Sequence, residues 1–167
     1  MEQKKNVYIA PGAVVVGDVV LEEDVSIWYN AVLRGDSGTI RVGRGTNIQD
    51  NCVVHEETTI GEYCTVGHGA IVHGCKIGSN TMVGMGSIVL NGAVIGENCL
   101  IGAGAVVTGK MNAPDGSLIL GNPATVVKPL SDAQIEYKDE KKVQDNIGNS
   151  TQKHRTHANT GEALSID

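Results

Sequence analysis

The sequence predicts a mainly β solenoid, and three observations predict it. An aliphatic residue recurs every six positions in three runs, Ile9 to Leu33, Val42 to Val72 and Ile77 to Val107; all seventeen positions (five, six and six) are Ile, Leu or Val. Four places later the residue is usually small, as at Ala31, Thr46, Cys52, Cys64, Thr81 and Cys99. Glycine recurs directly after the aliphatic position, as at Gly61, Gly67, Gly78 and Gly84. A period of six matches neither a helical stripe nor plain strand alternation. It matches a short strand, a tight corner and the next short strand, with the aliphatic side chain inward and the small one near the corner. Glycine is expected to supply the backbone angles of the turns. At three hexads per coil the count gives between five and six coils.

Each segment follows in order. The repeat starts at Ile9, takes a three-residue insertion around Ser37 to Ile40, drops one residue between Val72 and Ile77, and fades near Lys110. The Pro/Gly-rich passage from Met111 to Leu130 reads as an irregular return or a final partial coil. Residues 1–130 thus form the solenoid domain. Ser131 with Gln134 three places on is a capping-box start, and a helix is expected from Asp132 to about Val143, so that 131–145 packs on the coil. Residues 146–167 are polar and aperiodic and read as a flexible tail, in which His154 and His157 are solvated.

Composition narrows the function classes. The chain has 167 residues, 22 glycines, no phenylalanine and a formal charge of −6. That balance excludes a nucleic-acid or anionic-membrane surface. The N-terminus lacks an apolar signal region and no run of 18 apolar residues occurs, so a soluble, cytoplasmic protein is expected. Cys52, Cys64, Cys75 and Cys99 show no paired or zinc-finger spacing and read as reduced core residues.

His55, His68 and His73 lie within one stretch of the repeat. His55 and His73 are three hexads apart, so their rings stack on adjacent coils about 4.8 Å apart, and both follow an inward aliphatic residue and face outward. His68 is offset. Within one chain it cannot easily join the pair, but it can from a neighbouring subunit in a cyclic trimer. Three imidazoles with an open position make a catalytic rather than a structural zinc site, with Fe²⁺ or Co²⁺ also accepted by such ligands.

The segments LRGD (Leu33 to Asp36), NIQDN (Asn47 to Asn51), VVH (Val53 to His55) and VGHGAIVHG (Val66 to Gly74) resemble the γ-class carbonic anhydrases, over roughly residues 7–130. That resemblance implies a left-handed parallel β-helix of hexapeptide repeats with a C-terminal α-helix, assembled as a homotrimer. It implies His55, His68 and His73 as metal ligands, Gln49 hydrogen-bonding the metal-bound hydroxide, Asn47 supporting it, and Arg34 pairing with Asp50 across the subunit boundary beside Asp36. The implied reaction is reversible hydration of CO₂ to bicarbonate. The pattern departs from the family where a proton-shuttling glutamate would follow RGD, since Ser37 stands there. Glu56 and Glu57 are partial substitutes, and Asp145 falls near the place of a family tyrosine, with Tyr137 two turns earlier. Slow hydration is the consequence expected. Acyl transfer from acyl-CoA, metal-dependent thioester hydrolysis and a vestigial metal-binding subunit are the alternatives.

Overall fold

The computed structural model describes residues 1–136; the remainder of the expected helix, Tyr137, Asp145, His154, His157 and the whole 146–167 segment lie outside them. The chain winds as a three-sided parallel β-solenoid. One face carries Tyr8–Ile9, Ser26–Ile27, Asn47–Ile48, Thr65–Val66, Met82–Val83, Leu100–Ile101 and Ser117–Gly121, stacked in that order. The second and third faces belong to a single eleven-stranded sheet. Two long strands, Val14–Leu21 and Val32–Val42, bend through the corner and join them. The second face continues through Val53–His55, Ile71–His73, Ile88–Val89 and Val106–Val107. The third runs through Thr58–Ile60, Lys76–Ile77, Val94–Ile95 and Asn112–Ala113. The insertion after Arg34 is therefore absorbed by a strand that keeps pairing around the corner.

Seven strands on the first face make about seven turns, more than the five to six counted from the hexads. The aliphatic count had stopped at Val107. Ala113 and Ile119 continue the six-residue spacing and are buried, but alanine does not announce itself as a core aliphatic. At the other end Glu2–Gln3 pairs with Val20 and Leu21. The passage after Lys110 is both things expected of it: a further coil, then a return in which Ala124–Pro129 pairs antiparallel with Ser117–Gly121.

The core is a column of aliphatic layers. Ile27, Ile48, Val66, Val83, Ile101 and Ile119 stack on the first face, each fully buried. The small position does more than save space. At one corner Thr46 Oγ1 donates to Gly61 O (2.7 Å) and accepts from Cys64 N (3.0 Å); Thr81 repeats this with Gly96 O and Cys99 N. Hydroxyls thus satisfy corner amides and carbonyls that strand pairing leaves open. All four cysteines are buried and none forms a disulfide among the described residues.

Glycine supplies many of the left-handed corner angles, as at Gly45, Gly69, Gly86 and Gly104, but it also plays a second part. The glycines that follow the aliphatic position do not take positive φ angles. A Cβ on Gly84 would sit 2.5 Å from Ala103 N and 2.6 Å from Ile101 O, so the next coil passes too close for any side chain. The left-handed corner angle falls elsewhere, on a column that includes Asp24, Gly45, Tyr63, Asn80, Asn98 and Gly116, all between 52° and 69°. Asparagine and aspartate tolerate that region better than other side chains.

Past Pro129 residues 132–136 are helical. The capping box is reciprocal: Gln134 N donates to Ser131 Oγ (3.3 Å) and Ser131 N donates to Gln134 Oε1 (3.0 Å). Ala133 and Gln134 line a cleft against the first face. Among the described residues no helix is long and apolar enough to cross a membrane.

Candidate metal centre

Register places the stacked pair. Arg34, His55 and His73 are Cα partners on three successive coils of the second face, so their side chains leave the sheet in one column. The imidazoles of His55 and His73 meet edge to face, centroids 5.0 Å apart, with His55 Nδ1 3.1 Å from His73 Nε2. Two nitrogens on one tetrahedral zinc ion are separated by about 3.3 Å, given Zn–N bonds of about 2.0–2.1 Å.

The far side of each ring is occupied. His55 Nε2 lies 2.9 Å from Asp36 Oδ1, and His73 Nδ1 lies 2.6 Å from Asn91 Oδ1. Both oxygens accept, so the protons sit on His55 Nε2 and His73 Nδ1. With the ring protons on those far sides, the facing nitrogens His55 Nδ1 and His73 Nε2, 3.1 Å apart, both have lone pairs available to a cation, and acceptors behind the rings are the usual means of fixing a metal-binding tautomer. The residues fit a divalent transition ion. His55 is largely shielded, its side chain 12% exposed against 50% for Asp36. Asp36 also receives the Arg34 guanidinium at 2.5 Å. Hydrogen bonding from His55, and then from Arg34, lowers its carboxyl to about 2, so it is an anion at any working pH.

His68 does not join the pair within the chain. It sits on the corner between the first and second faces, where its Nδ1 pairs with Asp50 Oδ2 at 2.9 Å. Its backbone N–H donates to Gln49 Oε1 at 3.2 Å, which leaves the Gln49 amide nitrogen without a partner among the described residues. Asn47, two residues before Gln49, is buried and donates from Nδ2 to Ser26 Oγ, while its Oδ1 is buried with no partner among the described residues. So the expected site residues fall into two groups within one chain. Arg34, Asp36, His55 and His73 form one; Asn47, Gln49, Asp50 and His68 form the other, across a corner. Within one chain Arg34 pairs with Asp36 and Asp50 with His68.

Two participants escaped sequence reasoning as parts of the donor set. Asn91 lies eighteen residues beyond His73, but that coil is only seventeen residues long, with Val72 paired to Val89, so Asn91 falls one place past the register of the histidines and spacing alone did not point to it. Glu56 offers a carboxylate oxygen within 4.8 Å of a nitrogen of each histidine.

Comparison with known proteins adds a family to this geometry. The profile described as bacterial transferase hexapeptide (six repeats) matches residues 39–74 and 74–109. A probable carbonic anhydrase of Methanocaldococcus jannaschii is 54% identical over 136 residues, which cover 79% of this chain and 86% of that protein. The chain belongs to the γ-class carbonic anhydrase family. Gamma carbonic anhydrase 2, mitochondrial, of Arabidopsis thaliana is 43% identical over 80% of this member of the family, which spans about half (51%) of the plant protein's length. A crystal structure of a hexapeptide transferase family protein from Anaplasma phagocytophilum superposes with a TM-score of 0.85 at 40% identity, covering 90% of this chain and 91% of that one.

Proposed function

We propose that the protein catalyses the reversible hydration of CO₂ to bicarbonate at a metal ion shared between subunits of a homotrimer. The observation that carries this reading is the facing pair of imidazole nitrogens at 3.1 Å, each backed by an oxygen acceptor. His55 and His73 of one chain and His68 of the next would hold the ion, zinc being the first choice and Fe²⁺ or Co²⁺ acceptable to the same donors. When bound, such an ion acidifies water toward a pKa of about 7 and so makes a nucleophile available near neutral pH. The chain's own residues do the rest. Asp36 and Asn91 hold the ring protons away from the ion. The Gln49 amide N–H, unpartnered among the described residues, would orient an oxygen of the reacting water or of bicarbonate. Asn47, two residues before Gln49, anchors that stretch to Ser26, and His55 together with Arg34 keeps Asp36 ionised. The place after the RGD triplet is Ser37, whose hydroxyl cannot exchange protons as a glutamate can, so proton transfer is expected to limit turnover.

Self-association is supported by the second face. Beside the histidine column runs an outward ladder of Val14, Val32, Val53, Ile71, Ile88 and Val106, in register on six coils. A contiguous apolar stripe next to a half-built metal site is what a neighbouring copy would cover. A cytoplasmic setting belongs to the same proposal and is supported by four cysteines, none of them in a disulfide.

One observation favours a second reading. The cleft beside Gln49 and His68, about 720 Å³ and lined by Met82, Met85 and Leu100, is apolar and far larger than CO₂ requires. Hydrolysis or transfer of an acyl thioester would use it.

Metal content per chain, with stopped-flow CO₂ hydration before and after chelation, tests the proposal. One ion per chain and hydration lost with the ion are expected. An ion without hydration moves the assignment to the thioester chemistry, and a chain that never holds an ion ends the metal reading.

A further inference from the structure

Beside the histidine pair stands a third donor. A carboxylate oxygen of Glu56 and one nitrogen from each of His55 and His73 lie within 4.8 Å of one another, and all three residues are half-buried. Glu56 is held there by an unusual backbone. It follows His55 as Gly74 follows His73, and both take left-handed angles, φ 60° and 58°. One coil on, glycine fills this place at no steric cost, whereas here a glutamate occupies it. Glu56 forms no ion pair among the described residues. A cleft of about 520 Å³ opens on the Glu56 side of the group, lined by Glu56, Glu57, Gly74, Lys76 and Asn91 and by neither histidine. His68, by contrast, is engaged at its own corner with Asp50.

We propose that His55, Glu56 and His73 hold a divalent ion within a single chain, before a neighbour supplies His68. Two imidazoles and one carboxylate are a recognised zinc donor set. The ion would load on the unassembled chain, and Glu56 would give way to the incoming imidazole as the trimer closes. A shared site then needs no simultaneous capture of an ion and two subunits. The proposal rests on the metal reading above and goes beyond it by assigning the order of loading and assembly.

The test uses Co²⁺, whose affinity is read by chelator competition and whose coordination is read from its visible absorption. Four full-length proteins are compared: wild type, His68→Ala, and His68→Ala combined with Glu56→Gln or with Glu56→Gly. The glycine variant removes the carboxylate while suiting the left-handed backbone, and circular dichroism checks that each chain is folded. His68→Ala should still bind one Co²⁺ per chain, more weakly than wild type. Either change at Glu56 should then cost roughly tenfold or more in affinity and alter the absorption bands. Equal affinity with and without the carboxylate overturns the proposal, as does a His68→Ala chain that binds nothing while wild type binds. If wild type itself takes up no Co²⁺, the metal reading falls first and takes this one with it.

Discussion

Asn91 and Asp36 touch no substrate, yet they decide which nitrogens of His73 and His55 are available. Each accepts from the far side of a ring, at 2.6 and 2.9 Å. Removing such an acceptor releases the tautomer and the ring's orientation, an effect of about 10- to 100-fold in metal affinity. Asn91→Ala should therefore weaken zinc binding by that order while the solenoid stays folded, since Asn91 is exposed on a corner. Unchanged affinity by chelator competition would show that the hydrogen bond does not set the ligand. The buried thiols give a second residue-scale prediction. Burial raises Cys52 to about 11 and Cys75 to about 12 from an ordinary 9.0. Both stay neutral in the folded chain, whereas the unfolded chain loses these protons near pH 9. Their contribution to stability is whole below pH 9 and is lost as pH rises through about 11 and 12. Melting temperature should fall from pH 8.5 to 10.5, and less steeply after Cys75→Ala with Cys52→Ala; identical slopes would refute the assignment.

At the scale of one coil, the governing constraint is how closely the next coil passes. Gly84 faces backbone atoms of the coil above at 2.5–2.6 Å from any added Cβ. Backbone cannot swing aside as a side-chain tip can. Gly84→Ala is expected to cost about 1–3 kcal/mol, read as a lower denaturation midpoint. A midpoint equal to wild type would mean that the coils separate without penalty. Val83, next to it and fully buried, tests the interior: Val83→Asp puts an unpaired charge into a column with no polar partner and should prevent folding, seen as loss of the β signature in circular dichroism.

Across the whole molecule, the question is what covers the second face. Its outward ladder of Val and Ile lies beside the histidine pair, and Ile71 stands at its middle, between Val53 and Ile88. Ile71→Asp leaves the inward column untouched, so the chain should fold and yet run at the 17.5 kDa of one chain rather than three times that mass by light scattering. If the variant remains an oligomer, another face makes the contact. A dissociated variant should also lose CO₂ hydration, because His68 and the pair lie in separate groups within each chain.

The six-residue period by itself determined most of this. It specified which side chains point inward, because alternation along a short strand leaves no other choice. It stacked His55 on His73, because eighteen residues make one coil, and it made core residues of Cys52, Cys64 and Cys99. The capping box at Ser131 was equally local. What the tertiary structure decided depends on distances between coils, which a pattern of letters does not carry. The turn count rose because Ala113 and Ile119 pack as core only once the coil below them exists. The glycines after each aliphatic residue serve the approach of the next coil, while the left-handed angles fall two residues further on in the same corners, on Asn, Asp and other glycines. Above all, register alone brought His55 and His73 together but could not say which nitrogens face each other. That was settled by Asp36, held near by a strand bending through the corner, and by Asn91, moved to the corner by the residue dropped after His73.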